Sequence, residues 1–393
     1  MESKPDWVIV EPMSGTGKME VVVTTNTLAQ GAGNRSGEIK FLLDGKDYRS
    51  TMTVEQYDYQ YGDGDLVNLQ EATVGEGVNI VIMGDCFDAK DISEGIYLSA
   101  MQEAYGYFFD IEPYLTYKDY FNVYAVFGMS ADSGMGTANT VREARFGSQY
   151  TLNEGVEPDF QTTFAAACLA PINDDVSKTL VIMIENSSDY SGLCYMWGDG
   201  SAVAIVPMSA DPAPYDFRGL VHHEAGGHGF GKLSDEYIYS NTFIQTCDDC
   251  DEDINKFKSC GFYENISLTG DMHSVPWSHM IFDPQYSNIV DVYEGAHKHT
   301  RGVFRSEPAS CMHNNIPYYN AISREAMVKR LKKYAGQEYS FEEFKANDKE
   351  SFPSVVTKTQ WQWSEDYLGT SSRFDQMPPK FMGEKPSFNK NAF

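Results

Sequence analysis

The stretch Val221–Tyr237, V-H-H-E-A-G-G-H-G-F-G-K-L-S-D-E-Y, constrains this chain more than any other. Two histidines bracket a glutamate, and glycines crowd what would otherwise be a helix. A helical H-E-x-x-H sets both imidazoles on one face, where they can hold a metal, with the glutamate beside the water that the metal activates. Here His223-Glu224-Ala225-Gly226-Gly227-His228 carries one residue more, giving H-E-x-x-x-H. On a regular α-helix those two rings would sit about 140° apart and could not share an ion. The spacing therefore predicts a π-bulge or a local break at Ala225–Gly227, which absorbs the extra residue; such bulges gather at functional sites, and Gly tolerates the backbone angles involved. Each mid-helix Gly costs about 1 kcal/mol relative to Ala, so the pair implies a purpose. The bland reading, a buried helix with satisfied core histidines, leaves Glu224 and the acidic pair Asp235-Glu236 without a reason. Gly229 and Gly231 are expected to end the helix.

The string His223-Glu224…Gly227-His228…Leu233-Ser234-Asp235-Glu236-Tyr237 resembles the immunoglobulin-A peptidase family, whose usual pattern is H-E-x-G-H-x-x-x-x-L-x-D-E-Y. That family belongs with the metzincin-like zinc endopeptidases. The chain departs from the pattern by the inserted residue, and a similar H-E-x-x-x-H binds zinc in the dipeptidyl peptidase III family. The resemblance runs from about Val78 to Tyr334. It implies one catalytic Zn2+, a protein or peptide substrate, His223 and His228 as ligands and Glu224 as general base. For the third ligand the metzincin spacing lands on Ser234, a poor donor. Asp235, one residue on, occupies the place of the family's Asp-Glu pair and is the expected ligand. Glu236 and His222 are the alternatives, and the acid not used would orient a ligand histidine. Met312, before a C-terminal helix, resembles the Met-turn beneath the zinc of metzincins. Tyr237, Tyr318 and Tyr319 are candidates to assist the oxyanion, and His313 is a candidate substrate contact. In metzincin-like enzymes an edge strand near the zinc helix pairs with an extended substrate; Ala202–Met208, closing at Pro207, is the candidate, with an ordinary proline-blunted edge as the alternative.

The expected architecture is an α/β (α+β) metzincin-like catalytic domain, with a mixed twisted sheet and an active-site helix, behind a small all-β immunoglobulin-like module. Residues 1–57 alternate short apolar and polar runs between Gly- and Asn-containing turns. The spacing Ser14-Gly15…Asn26…Arg35-Ser36-Gly37…Thr53-Val54-Glu55-Gln56 resembles BACON modules, which implies surface or glycan attachment; a mere spacer is the alternative. Residues 58–76 read as linker and lead-in strand, 77–336 as the zinc peptidase domain, and 337–393 as an extended segment packed on it, anchored by Trp361 and Trp363. Val78–Gly84, Phe121–Phe127 and Leu180–Ile184 are predicted strands, Asp91–Asp110 and Ser323–Tyr334 predicted helices.

A net charge of −27 argues against nucleic acid or an anionic membrane surface as partner. No apolar run is long enough to span a bilayer. The N-terminus lacks the basic and apolar parts of a leader, and the resemblance implies a mature secreted, periplasmic or cell-surface chain. Seven cysteines leave at least one unpaired. Cys260 is the expected disulfide partner of Cys247 or Cys250, and the acidic cluster Asp248–Asp253 is a weak candidate for Ca2+, with a solvated charge run as the commoner explanation. Two rival readings of the chain remain: a surface- or glycan-binding protein with a degenerate zinc site, and a zinc amidohydrolase acting on something other than protein.

Overall fold

The computed structural model describes residues 1–42, 49–137, 139–151, 155–189, 191–238, 250–349 and 377–390, with backbone alone at 250–252. The N-terminal part is all β. Strands β1 (Val8–Glu11) and β2 (Val22–Thr25) pair antiparallel, as do β3 (Arg35–Leu42) and β4 (Arg49–Gln56). In β1 the period-two pattern turns Val8 and Val10 inward and Ile9 and Glu11 outward. Among the described residues, Val8, Val10 and Ile39 form the buried centre here. Two-stranded ribbons of this size are marginal alone.

The larger part is built on β5 (Leu66–Gln70), β6 (Val78–Asp85), β7 (Phe121–Val126), β8 (Thr179–Glu185), β9 (Leu193–Met196) and β10 (Ala202–Pro207). A small three-stranded sheet follows, of β11 (Ile266–Ser267), β12 (Tyr293–Ala296) and β13 (His299–Arg305). The final strand β14 (Lys380–Phe381) returns to the large sheet, whose order is β14-β9-β10-β8-β6-β7-β5. Its four central strands run parallel, and β5 and β9 flank them antiparallel. Both faces are covered, which is why β6, β8 and β10 read as unbroken apolar runs rather than alternating ones. Helices Ile96–Phe108 and Ala321–Tyr334 share one core, together with the histidine-bearing helix. Helix Phe160–Ala167 and Trp197 fill the other.

Four expectations change. Ala202–Pro207 is not an edge strand: β10 is bonded to β8 on one side and β9 on the other. Pro207 falls at its last residue, where the missing N–H is tolerated. The predicted Asp91–Asp110 helix is two helices, Ala89–Ser93 and Ile96–Phe108, because Gly95 takes a positive φ of 78° between them. Past residue 336 the chain is not all extended, since Phe341–Asn347 is helical, capped by Ser340 and anchored by buried Phe344. Residues 377–390 then pack Met377, Met382 and Phe388 against the second core. Trp361, Trp363 and Asp248–Asp249 lie outside the described residues. Cys260 carries a free thiol rather than the expected disulfide, as do Cys86, Cys168, Cys194 and Cys311. Among the described residues no helix is long and apolar enough to cross a membrane.

Candidate metal centre

Asp216 opens the local structure by accepting from the Gly219 N–H at 2.9 Å, which caps helix Phe217–Leu220. The chain then passes directly into a π-helix over Val221–Phe230. Its bonding is i→i+5, as between Gly231 N–H and Gly226 O at 2.9 Å, so residues five apart stack and the histidine spacing becomes productive. The departure from α geometry is broader than the single bulge expected at Ala225–Gly227. Neighbours distant in sequence hold it. Tyr114 Oη donates to Gly226 O at 2.6 Å, and Tyr319 Oη donates to His222 O. A β-carbon at Gly226 would fall 2.3 Å from Tyr319 Oη, and one at Gly227 would fall 2.2 Å from Met312 Sδ. The glycine pair thus lets the helix settle onto Tyr319 and Met312. Gly231, with a φ of −66°, closes the helix, and the chain reverses one residue on at Lys232, whose φ is 55°.

This geometry brings His223 Nε2 and His228 Nε2 to 3.1 Å, with Asp235 Oδ1 at 3.0 and 3.2 Å from them. All three side chains are at most 1% exposed. His223 Nδ1 faces Cys311 O at 3.1 Å and His228 Nδ1 faces Leu233 O at 2.8 Å. A carbonyl only accepts, so each Nδ1 carries the proton and each neutral ring turns a lone pair inward. Two such lone pairs and a carboxylate oxygen converging in a buried site can be bridged by a cation. Tetrahedral zinc with bonds of about 2.0–2.1 Å separates its donor atoms by about 3.3–3.4 Å, close to the spacing observed, and the trio can hold a metal ion.

Without a metal, protons take that role. Burial alone would lower the His223 pKa, but hydrogen bonds to the Asp235 carboxylate and the Cys311 side chain, with the nearby Glu224 charge, raise it well above the usual value. Burial would likewise raise Asp235, and the two imidazoles overcome this and hold it well below the carboxylate range. Glu224 is different. Burial pushes it up to about 7 against the pull of His223 and His228, and neither carboxylate oxygen has a hydrogen-bond partner. Asp235 Oδ2 is also unpartnered. Gly192, just before β9, is what admits Glu224, since a β-carbon there would lie 2.8 Å from its Oε1.

The other expected residues scatter. His222 turns away and meets Tyr107 O at 2.9 Å and Asp110 Oδ1 at 2.7 Å. Glu236 neither reaches the trio nor touches a ligand imidazole; its oxygens are taken by Ser310, Asn265 and Asn320. The hydroxyls of Tyr318 and Tyr319 are committed to Glu307 and to His222 O. Tyr237 is buried and its carbonyl accepts from Lys298 N–H at 2.8 Å. His313 shares the short helix Cys311–Asn314 with Met312, and burial drives its pKa well down. The sequence reading missed His297. Its N–H donates to Asp235 O at 3.0 Å and its Nδ1 lies 2.8 Å from Ser234 Oγ. The tight link between β12 and β13 that carries it, Gly295-Ala296-His297-Lys298-His299, has no metal-site spacing to announce it. A second acidic trio, Asp85, Cys86 and Glu185, is satisfied internally by Ser130, Ser148 and Phe146 N–H.

Residues 67–281, over half of the chain, match the family described as IgA Peptidase M64. The match does not reach the N-terminal strands, and the BACON resemblance has no counterpart in it. No curated protein matches the chain.

Proposed function

The chain belongs to the IgA peptidase M64 family, and from that premise we propose that it is a zinc-dependent endopeptidase of metzincin-like build. One observation carries the reading: two imidazole lone pairs and the Asp235 carboxylate converge in a buried site, next to a second carboxylate, Glu224, that has no partner of its own. His223, His228 and Asp235 would hold the ion, leaving a fourth position open as catalytic zinc sites do. Zinc, when bound, supplies Lewis-acid polarisation of the scissile carbonyl and activation of water.

Glu224 takes the proton from the attacking water at a carboxylate oxygen and returns it to the leaving amine. Its isolation suits that task, because no donor competes for the oxygens and burial keeps its basicity above that of a free carboxylate. Cys311 O and Leu233 O keep both imidazoles in the metal-binding tautomer. Met312 packs beneath the π-helix as the Met-turn would. Protein or peptide is the proposed substrate class, a secreted or cell-surface setting the proposed location, and residues 1–57 a separable module.

Glu224→Gln tests the reading. It should retain zinc at near-parental stoichiometry and lose roughly 10²–10⁴-fold or more in cleavage of an unfolded protein. A parent that holds zinc yet cleaves nothing, with or without chelator, would favour a non-catalytic binding protein. A Glu224→Gln variant that cleaves normally would overturn the assigned base.

A further inference from the structure

We propose that Glu236 is a positioning residue for the metal centre, fixing the Cys311 carbonyl that orients His223. The proposal rests on the metal-site reading above. Glu236 is fully buried and grips the residues on both sides of Cys311. Its Oε2 accepts from Ser310 Oγ at 2.5 Å, and its backbone N–H donates to Met312 O at 2.7 Å. Cys311 between them has its N–H bound to Tyr318 O at 2.6 Å and its carbonyl on His223 Nδ1 at 3.1 Å. The peptide that sets the His223 tautomer is therefore clamped from three directions, two of them Glu236.

The same carboxylate reaches the third donor of the trio. Asn265 Nδ2 donates to Glu236 Oε1 at 2.9 Å and to Ser234 O at 2.8 Å, while Asn265 Oδ1 accepts from Ser234 N–H at 2.9 Å. Ser234 directly precedes Asp235. Asn320 Nδ2 donates to both Glu236 oxygens at 2.8 and 3.0 Å, tying the hub to the start of helix Ala321–Tyr334, where Asn320 Oδ1 caps Ser323 N–H. Every side-chain partner is thus a donor. The carboxylate accepts from all three at once, whereas an amide in either orientation would set its own N–H₂ against Asn320 Nδ2, which contacts both oxygens. Burying a carboxylate among neutral partners is costly, and an uncharged residue would serve if only packing were needed. The arrangement makes sense as a device that fixes two elements of the trio against each other.

Three readouts separate positioning from simple stability: the zinc dissociation constant by chelator competition, the visible spectrum of the cobalt(II)-loaded protein, and the His223 nitrogen shifts in the metal-free protein. Glu236→Gln should weaken zinc roughly 10–100-fold, as expected for loss of an outer partner, alter the cobalt spectrum and mix the His223 tautomers. Glu236→Gln/Asn320→Asp restores one acceptor opposite the new amide and keeps a good cap for Ser323, so zinc affinity should recover to within about threefold of the parent. Ser310→Ala, which removes one bond and leaves the hub charged, should weaken zinc several-fold in a folded protein even if Glu236→Gln fails to fold. Unchanged zinc affinity in folded Glu236→Gln, or in Ser310→Ala, overturns the positioning role. A parent that binds no zinc overturns the metal reading itself, and this role with it.

Discussion

Replacing Gly226 by Ala sets two effects of opposite sign against each other. At an exposed helical site the change would stabilise by about 1 kcal/mol through helix propensity. In this chain the new β-carbon falls 2.3 Å from Tyr319 Oη and 3.1 Å from Tyr114 Cε2. Both rings are stiff and buried, so the clash cannot be relieved by swinging a flexible tip aside. Overpacking of this kind costs about 1–3 kcal/mol, and displacing Tyr319 also removes its bond to His222 O, worth about 0.5–1.5 kcal/mol. The net expectation is a loss of about 2 kcal/mol, read from urea unfolding of the metal-free protein. Tyr319→Phe in the same chain removes the offending oxygen and leaves Cζ 3.5 Å from the β-carbon, an ordinary contact. The pair should therefore show a coupling of at least about 1 kcal/mol in a double-mutant cycle. Stabilisation by Gly226→Ala, or strict additivity with Tyr319→Phe, would refute the view that the π-helix is shaped by its contact with Tyr319.

Lys232 gives a pH signature. Burial lowers its pKa from 10.5 to about 7, and Nζ has no hydrogen-bond partner. Between pH 7 and 10.5 the unfolded chain holds the proton that the folded chain has released, so this residue makes stability rise with pH across that window and weigh most against folding at or below pH 7. Lys232→Met should then stabilise by a few kcal/mol at pH 7 and progressively less towards pH 10, measured as the difference in urea midpoint from the parent; an equal gain at both pH values would rule out a charge effect. Asp235→Ala should abolish stoichiometric zinc, whereas the parent at a free zinc level 100 times its Kd should gain about 2.7 kcal/mol over the chelated form; thermal melts with and without chelator check both, and full zinc retention in the variant would remove Asp235 from the ligand set.

What the sequence discloses about the centre is set by range. His223, Glu224, His228 and Asp235 fall within one helix and its exit, so their chemistry and spacing lie in a single window, and the surplus residue between the histidines already required a departure from α geometry. The length of that departure was not readable, because the groups that hold it, Tyr114, Met312 and Tyr319, belong to other elements and carry no periodicity pointing at residue 226. Strand β9 was hidden for a related reason. Four residues buried on both faces show no alternation, so Pro207 drew the edge one strand inward, to β10, while β14 arrived from the far end of the chain to pair with β9. Glu236 shows the limit most clearly. As a residue type beside Asp235 it was an alternative ligand on paper, and its three donors, drawn from Asn265, Ser310 and Asn320, turn it away from the trio. A metal demands particular atoms at short range and so leaves a local mark. The residues that orient those atoms need only be acceptors or donors in the right place, which many residue types satisfy, and so they leave none.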